Sequence, residues 1–349
     1  MIGRRRKDLF WFVCSILFLW LAGLLLLVIK FHRYDQHIPS EHLIGNRATN
    51  VKSLEERGLP FSFLVIGDTH IRQQATALIK KASKADHVSF MIILGDFVKK
   101  PNIWNHRYFL TEMTKELNLH FPVFLVPGNH DIDYTFSGAG EEGRVTPEVF
   151  NSLYGSMNFD FAFNGCLFVI CGVDTENQAS YLNYLRDILS KKGTGKRHIF
   201  LFIHHPPRGV GMAGSFPLPY EKEFFSLLEA HRVTSCFFGD YHAYWRGQRR
   251  GTNLIISGGG GRLMKWQPEW GKFHHILRIT VDEDMIREEM IILKGEVFSL
   301  RGLRKWVFIH LSPILKGRDW VLYSGVILFL SLGTFSVACL ITSLRRKSY

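Results

Sequence analysis

Seven side chains of metal-ligating type recur at one kind of position in this sequence. Asp68, His70, Asp96, Asn129, His204, Asp240 and His242 each lie within four residues of the end of a short apolar run. Carboxylates, imidazoles and an amide oxygen are donors that divalent cations accept. A single Gly-Asp pair is ordinarily a turn. Here five endings follow one another: Gly67-Asp68-Thr69-His70, Gly95-Asp96, Gly128-Asn129-His130-Asp131, His204-His205-Pro206-Pro207 and Gly239-Asp240-Tyr241-His242. Their glycines let the backbone turn sharply enough for the donors to converge. The chemistry that such a set could do together is that of bound metal ions.

The elements that must position them alternate. Phe61–Ile66, Phe90–Leu94, Pro122–Val126, His198–Ile203 and Val233–Phe238 are continuous apolar runs of strand length. Between them, Arg72–Ala85, Asn105–Asn118, Gln178–Lys192 and Glu221–His231 carry helical periodicity, and 158–163 with 167–172 reads as a hairpin. The tail from Thr252 to Leu293 reads as strands. Apolar strands alternating with helices predict an α/β core covered on both faces. In such folds ligands sit at the C-terminal ends of the strands, where the seven donors fall.

Two further runs have another purpose. Leu9–Ile29 and Trp320–Ile341 contain no charged residue, and each is long enough for a helix to cross roughly 30 Å of hydrocarbon. Arg4-Arg5-Arg6-Lys7 precedes the first and Arg345-Arg346-Lys347 follows the second. The positive-inside rule then predicts both termini in the cytoplasm and the intervening chain on the other side. No small-residue cleavage site follows at Phe31-His32-Arg33-Tyr34, so the first run reads as an uncleaved anchor rather than a signal peptide. Trp306–Leu315 is apolar but short and contains Pro313, which reads as an interfacial segment.

The 349 residues carry a formal net charge of +12, but unevenly. Residues 58–300 hold 26 Lys/Arg and 25 Asp/Glu, so the body is nearly neutral and the surplus flanks the apolar runs. A neutral body lacks the basic face that nucleic-acid binding needs, and the expectation is no nucleic-acid partner; membrane lipids are the expected partners of the flanks. Cys14 and Cys339 sit in the apolar runs, and Cys166, Cys171 and Cys236 in apolar stretches of the body, a core pattern rather than a disulfide framework.

From about residue 60 to 293 the five motifs, in this order, resemble those of the calcineurin-like metallophosphoesterases. The resemblance implies a β-sandwich flanked by helices (αββα) and a pair of divalent cations. One would be held by Asp68, His70, Asp96 and His242, the other by Asp96, Asn129, His204 and Asp240. It implies a hydroxide between the two metals that attacks phosphorus in line, with no covalent enzyme intermediate. His130 would protonate the leaving oxygen, and Asp131 would orient His130. The family usually carries His where this chain has Asp240. An anionic oxygen there favours harder ions, so manganese is the favoured metal, with magnesium, iron or zinc as alternatives; the other reading is that Asp240 is too short to ligate. A purple acid phosphatase is disfavoured, because its metal-bound Tyr would fall where Lys99 stands.

Substrate recognition is less legible. Gly138–Arg144 and Arg208–Leu218 follow two of the motifs. Arg208 is a candidate for gripping phosphate, His205 for substrate binding or the core, and Met212, Phe216 and Leu218 for receiving apolar groups. Tyr244-Trp245-Arg246 is a candidate rim, and Ser257–Arg262 either approaches the metals or is only a turn.

The expected organisation is a basic N-terminus with a transmembrane helix (1–33, spanning about 9–29), a linker (34–59) and a metallophosphoesterase domain (60–293). A membrane-proximal segment (294–319) and a second transmembrane helix (about 320–341) with a basic tail (to 349) complete it. The expected activity is hydrolysis of a phosphomonoester, phosphodiester or pyrophosphate bond outside the cytoplasm, with lipid-linked substrates among the candidates. The alternative is a degenerate binding or sensor protein of the same fold.

Overall fold

Phe61, Phe63 and Val65 alternate with Ser62, Leu64 and Ile66 along strand β1 (Phe61–Ile66), and all six are buried. A strand buried on both faces must lie inside a sheet that is covered on both sides. The computed structural model, which describes residues 2–33, 42–54, 58–134, 143–174, 177, 179–211, 217–265, 267–295 and 299–345, has that arrangement.

β1 is central in a five-stranded sheet, with β2 (Val88–Ile93) and β3 (Val123–Leu125) parallel on one side. On its other side lie the antiparallel β10 (His275–Val281) and β11 (Ile286–Ile292). The second sheet has six strands in the order β4 (Phe159–Phe163), β5 (Cys166–Cys171), β6 (Ile199–Ile203), β7 (Ser235–Phe238), β9 (Thr252–Ser257), β8 (Tyr244–Arg249). Its middle strands β5, β6, β7 and β9 are parallel, while β4 and β8 close the edges antiparallel.

Aromatic side chains fill the space between the sheets. Phe63 stacks on Phe90 with centroids 5.2 Å apart and meets Phe168 and Phe200 edge-on at 5.4 and 5.3 Å. Fully burying one such ring contributes about 1.5–3 kcal/mol, and the edge-on geometry adds a smaller increment. The outer face of the second sheet packs Val169, Leu201 and Ile256 against Leu185 of α6 (Ser180–Lys192) and Phe224 of α7 (Glu221–Ala230). The expected αββα sandwich is therefore present, and so is an apolar helix at each end of the chain.

Three elements depart from the sequence reading. α5 (Pro147–Tyr154), which the sequence reading does not include, starts with Thr146 capping the Val149 amide and Pro147 in the first turn. The helix predicted over 105–118 is α4 (Ile103–Thr111), capped by Asn102, and it runs on as a π-helical turn, Glu112–Leu117. Tyr244-Trp245-Arg246 is not a rim but the start of β8. Tyr244 donates to Glu288 at 2.6 Å, and Trp245 packs on the outer core of the second sheet.

The chain divides into two compact units, Ile38–Ser299 with both sheets and a helical unit from Met1–His37 and Leu300–Tyr349. In the helical unit α1 (Ile2–His32) and α10 (Asp319–Arg345) run antiparallel. His32 meets Asp319 at 3.0 Å near one end, and Ser343 donates to Asp8 at 2.5 Å near the other. Arg6–His32 and Asp319–Arg345 are both long and apolar enough to cross a membrane. Small residues allow the close approach: a Cβ on Gly333 would lie 3.1 Å from the Leu19 side chain. Leu9, Phe10, Trp20, Trp320, Ile327 and Phe335 project outward and are exposed.

Candidate metal centre

Every one of the seven donors leaves the C-terminal end of a parallel strand. Asp68 and His70 follow β1, Asp96 follows β2, Asn129 follows β3, His204 follows β6, and Asp240 and His242 follow β7. The backbone is strained at five of the seven. Asp68, His70, Asp96, Asp240 and His242 have φ of 53°, 44°, 51°, 62° and 35°, left-handed conformations that non-glycine residues rarely adopt. Such strain persists only where the surroundings impose it, and it concentrates at functional sites.

The donors form two adjoining groups. Asp68, His70, Asp96 and His242 bring one atom each to within 4.8 Å of one another, and His204, His205 and Asp240 do the same. Asp96 lies between the groups. Its Oδ2 is 3.9 Å from His70 Nε2, and its Oδ1 is 3.4 Å from His204 Nε2. Asn129 Oδ1 is 3.2 Å from the same His204 nitrogen. His205 Nδ1 lies 3.8 Å from Asp240 Oδ2, so the residue proposed for substrate binding stands with the donors of the second group.

Three imidazoles are oriented by the main chain. The Nδ1 atoms of His70, His204 and His242 meet the carbonyls of Val98, Leu94 and Arg262 at 3.1, 2.7 and 2.9 Å. A carbonyl only accepts, so each Nδ1 donates and each Nε2 turns its lone pair to the centre. Burial pushes all three pKa values down, that of His70 to about 3, which keeps the rings neutral as metal ligation requires.

The carboxylates need compensation. Asp68 is completely buried, and neither oxygen has a hydrogen-bond partner of good geometry. Burial, and then the charges of Asp96, Asp240 and Asp131, push its pKa well above the usual range. Burial raises Asp240 too, but the imidazoles of His205, His204 and His242 outweigh it and hold the carboxyl below its ordinary value. Divalent cations would complete this donor set: oxygen and neutral nitrogen ligands converge, and an orphaned buried carboxylate gains a partner.

His130 reaches the same centre, its Nε2 3.9 Å from Asp96 Oδ2 and its side chain 40% exposed. Asp131 does not orient it. The Asp131 carboxylate points the other way and accepts from the amides of Asp96, Gly128 and Val98 at 2.8, 2.8 and 3.1 Å. The Lys99 carbonyl holds His130 Nδ1 instead, at 2.9 Å. Asp131 is a buried clasp between two motif loops, and its expected catalytic role gives way to that.

Substrate recognition also differs from the expectation. A cavity of about 220 Å³ opens beside His70 and His130 and is lined by Arg72, Lys99, Lys100, Pro101 and Arg262. Arg208 is exposed and does not line it. Leu218 is 2% exposed within the outer core, so it receives no ligand. Met212, Phe216 and residues 138–142 lie outside the described residues. The basic residues were visible as neighbours of motifs: Arg72 follows His70 by two, Lys99 follows Asp96 by three, and Arg262 ends the glycine run. That run does approach the centre. A Cβ on Gly258 would fall 2.6 Å from Asp68 Oδ2 and 2.7 Å from the His242 amide nitrogen.

Among solved structures, the chain is similar to GAP50, "the anchor in the inner membrane complex of Plasmodium", at 13% identity and a TM-score of 0.49, covering 72% of this chain and 95% of that one. It is similar to the purple acid phosphatase PPD1 of yellow lupin (Lupinus luteus) at 12% identity and a TM-score of 0.49, covering 70% of this chain and 53% of that one. A dimetal phosphatase from Danio rerio shares 15% identity at a TM-score of 0.47, covering 66% and 98%. A search of curated proteins returns no match. The family model for calcineurin-like phosphoesterases matches residues 61–244, more than half of the chain, and with the metal-ligating geometry above it identifies this protein as a member of that family.

Proposed function

We propose that this protein is a metal-dependent phosphoester hydrolase, anchored in a membrane by α1 and α10, with two divalent cations, manganese favoured, as its cofactors. The observation that carries the reading is Asp96, whose two oxygens face two separate donor groups, beside the orphaned carboxylate of Asp68. Asp68, His70, Asp96 and His242 would hold one cation and Asp96, Asn129, His204 and Asp240 the other, and when bound these would supply Lewis-acid polarisation and an acidified water near neutral pH. His130, with Nδ1 tied to the Lys99 carbonyl and Nε2 3.9 Å from Asp96 Oδ2, would act as the imidazolium, giving its Nε2 proton to the leaving oxygen and becoming the neutral ring. The aromatic sandwich keeps the strand ends rigid beneath these groups.

The membrane reading rests on the antiparallel pairing of α1 and α10 and on their exposed apolar side chains. Basic residues at the paired chain ends favour a cytoplasmic location for both, which leaves the phosphoesterase domain (60–293) extracytoplasmic. An enzyme held at a bilayer meets lipid-linked phosphoesters at high local concentration, so these are the proposed substrates.

The test uses the full chain in detergent, assayed on an aryl phosphomonoester and an aryl phosphodiester with and without manganese. Manganese-dependent hydrolysis is expected. Asp96→Asn should lose metal and activity together, whereas His130→Ala should keep its metals and lose roughly 10²–10⁴ in turnover. Metal binding without turnover on either ester would instead favour a binding or sensor protein. Reporter fusions at Gly58 and at the C-terminus should report opposite sides of the membrane; a cytoplasmic signal from Gly58 would overturn the orientation.

A further inference from the structure

The cavity beside the centre carries more positive charge than one phosphoryl group needs. Arg72, Lys99, Lys100 and Arg262 line it together with His70 and His130. No carboxylate among the described residues pairs with any of the four cations, so their charge is not neutralised within the cavity. The metal centre needs little of that charge. Its carboxylates Asp68, Asp96 and Asp240 would offset most of what two divalent cations bring, and a phosphoryl dianion would offset the rest and leave one negative charge. Of the four side-chain charges, all but one are then a separate surplus. Like charges gathered at one cavity repel one another, an arrangement that an anionic ligand relieves. A volume of about 220 Å³ is room for roughly seven waters, enough for a further tetrahedral anion.

We infer that this pocket selects phosphoesters that bear a second phosphate group, bound by Arg72 and Arg262 with Lys99 and Lys100 at the rim. The inference deepens the hydrolase reading and rests on it. Arginine suits the role because its planar donors grip a phosphate in bidentate fashion, while lysine supplies point charge. The second phosphate belongs either to a lipid headgroup or to a soluble molecule.

Calorimetric titration of the metal-loaded full chain in detergent tests this without requiring turnover. Methylenediphosphonate, which carries two linked phosphonates, should bind at least about tenfold more tightly than inorganic phosphate. The double variant Arg72→Ala/Arg262→Ala should weaken the diphosphonate about ten- to a hundredfold, the scale of lost charge-assisted hydrogen bonds. Phosphate binding should change far less. All four side chains are exposed, so folding should survive, and Lys99→Gln/Lys100→Gln should show a smaller loss in the same direction. Equal affinities in the wild type, or an undiminished preference in the arginine variant, would overturn the inference, since the metals alone would then read the ligand. Because binding is the readout, a chain that prefers the diphosphonate yet hydrolyses no ester refutes the hydrolase reading alone; an active chain without the preference refutes the pocket alone. Phosphatidylcholine vesicles doped with diacylglycerol pyrophosphate form the lipid arm. Displacement of the diphosphonate by those vesicles supports a lipid headgroup, and displacement by soluble pyrophosphate only supports a soluble ligand. Displacement by neither overturns the proposal.

Discussion

Asp131 accepts a hydrogen bond from the backbone amide of Asp96 at 2.8 Å, so one buried carboxylate sets the turn on which another is presented to the metal centre. The same Oδ2 accepts from Gly128 at 2.8 Å, and Oδ1 from Val98 at 3.1 Å. Two motif loops, 35 residues apart at the Asp96 contact, are thus tied by a single side chain.

Asp131→Ala should therefore act on stability and assembly of the site. Leaving three buried amides without acceptors costs about 2–5 kcal/mol, readable by denaturant unfolding, with metal content falling in parallel. A variant of wild-type stability that lost only turnover, to the extent of His130→Ala, would restore a catalytic role to Asp131.

Asp240 should govern the second donor group. Elemental analysis of Asp240→Ala is expected to find about half the wild-type metal, because His204, Asn129 and Asp96 remain but the anionic oxygen is gone. Asp240→His should shift preference from manganese toward zinc, as nitrogen replaces oxygen. Retention of two metals with unchanged preference in Asp240→Ala would remove it from the ligand set and leave His205 as the substitute.

Gly258→Ala should damage the centre from behind. The added Cβ would meet Asp68 Oδ2 at 2.6 Å and the His242 amide nitrogen at 2.7 Å, and backbone cannot yield as a flexible side chain can. We expect a stability loss of about 1–3 kcal/mol and weaker metal binding. Gly302→Ala, with nothing within 4 Å of the new atom, is the control and should melt like the wild type. Equal behaviour of the two variants would contradict the packing described.

A pH effect should come from His275, which is completely buried between Ser257 Oγ (3.1 Å) and the Phe273 carbonyl (3.0 Å). Burial lowers its pKa from 6.5 to about 4. The folded state then favours the neutral ring, so its contribution is whole above pH 6.5 and is lost as the pH falls toward 4. Between pH 7 and 5 this removes on the order of 2 kcal/mol. Thermal melts of the wild type should fall across that range more steeply than those of His275→Gln; parallel curves would show that the ring does not titrate against folding.

Much of this protein can be read along the chain. Asp68, Asp96, Asn129, His204 and Asp240 each stand just beyond an apolar strand, and parallel pairing of neighbouring strands must then gather them at one edge. The charge-free runs at 9–29 and 320–341 are equally local signals, since span length is set by rise per residue. Asp131, by contrast, reads as a neighbour of His130 but turns its carboxylate to amides 33 and 35 residues away. Arg208 follows a motif yet lies outside the cavity, while Arg72 and Arg262, 190 positions apart in the chain, line it together. Periodicity reports which face of an element is buried, and motif spacing reports which loop carries a donor. The direction of a side chain from a strained loop depends on backbone torsions and on neighbours contributed by other strands, and these exist only once both sheets have packed.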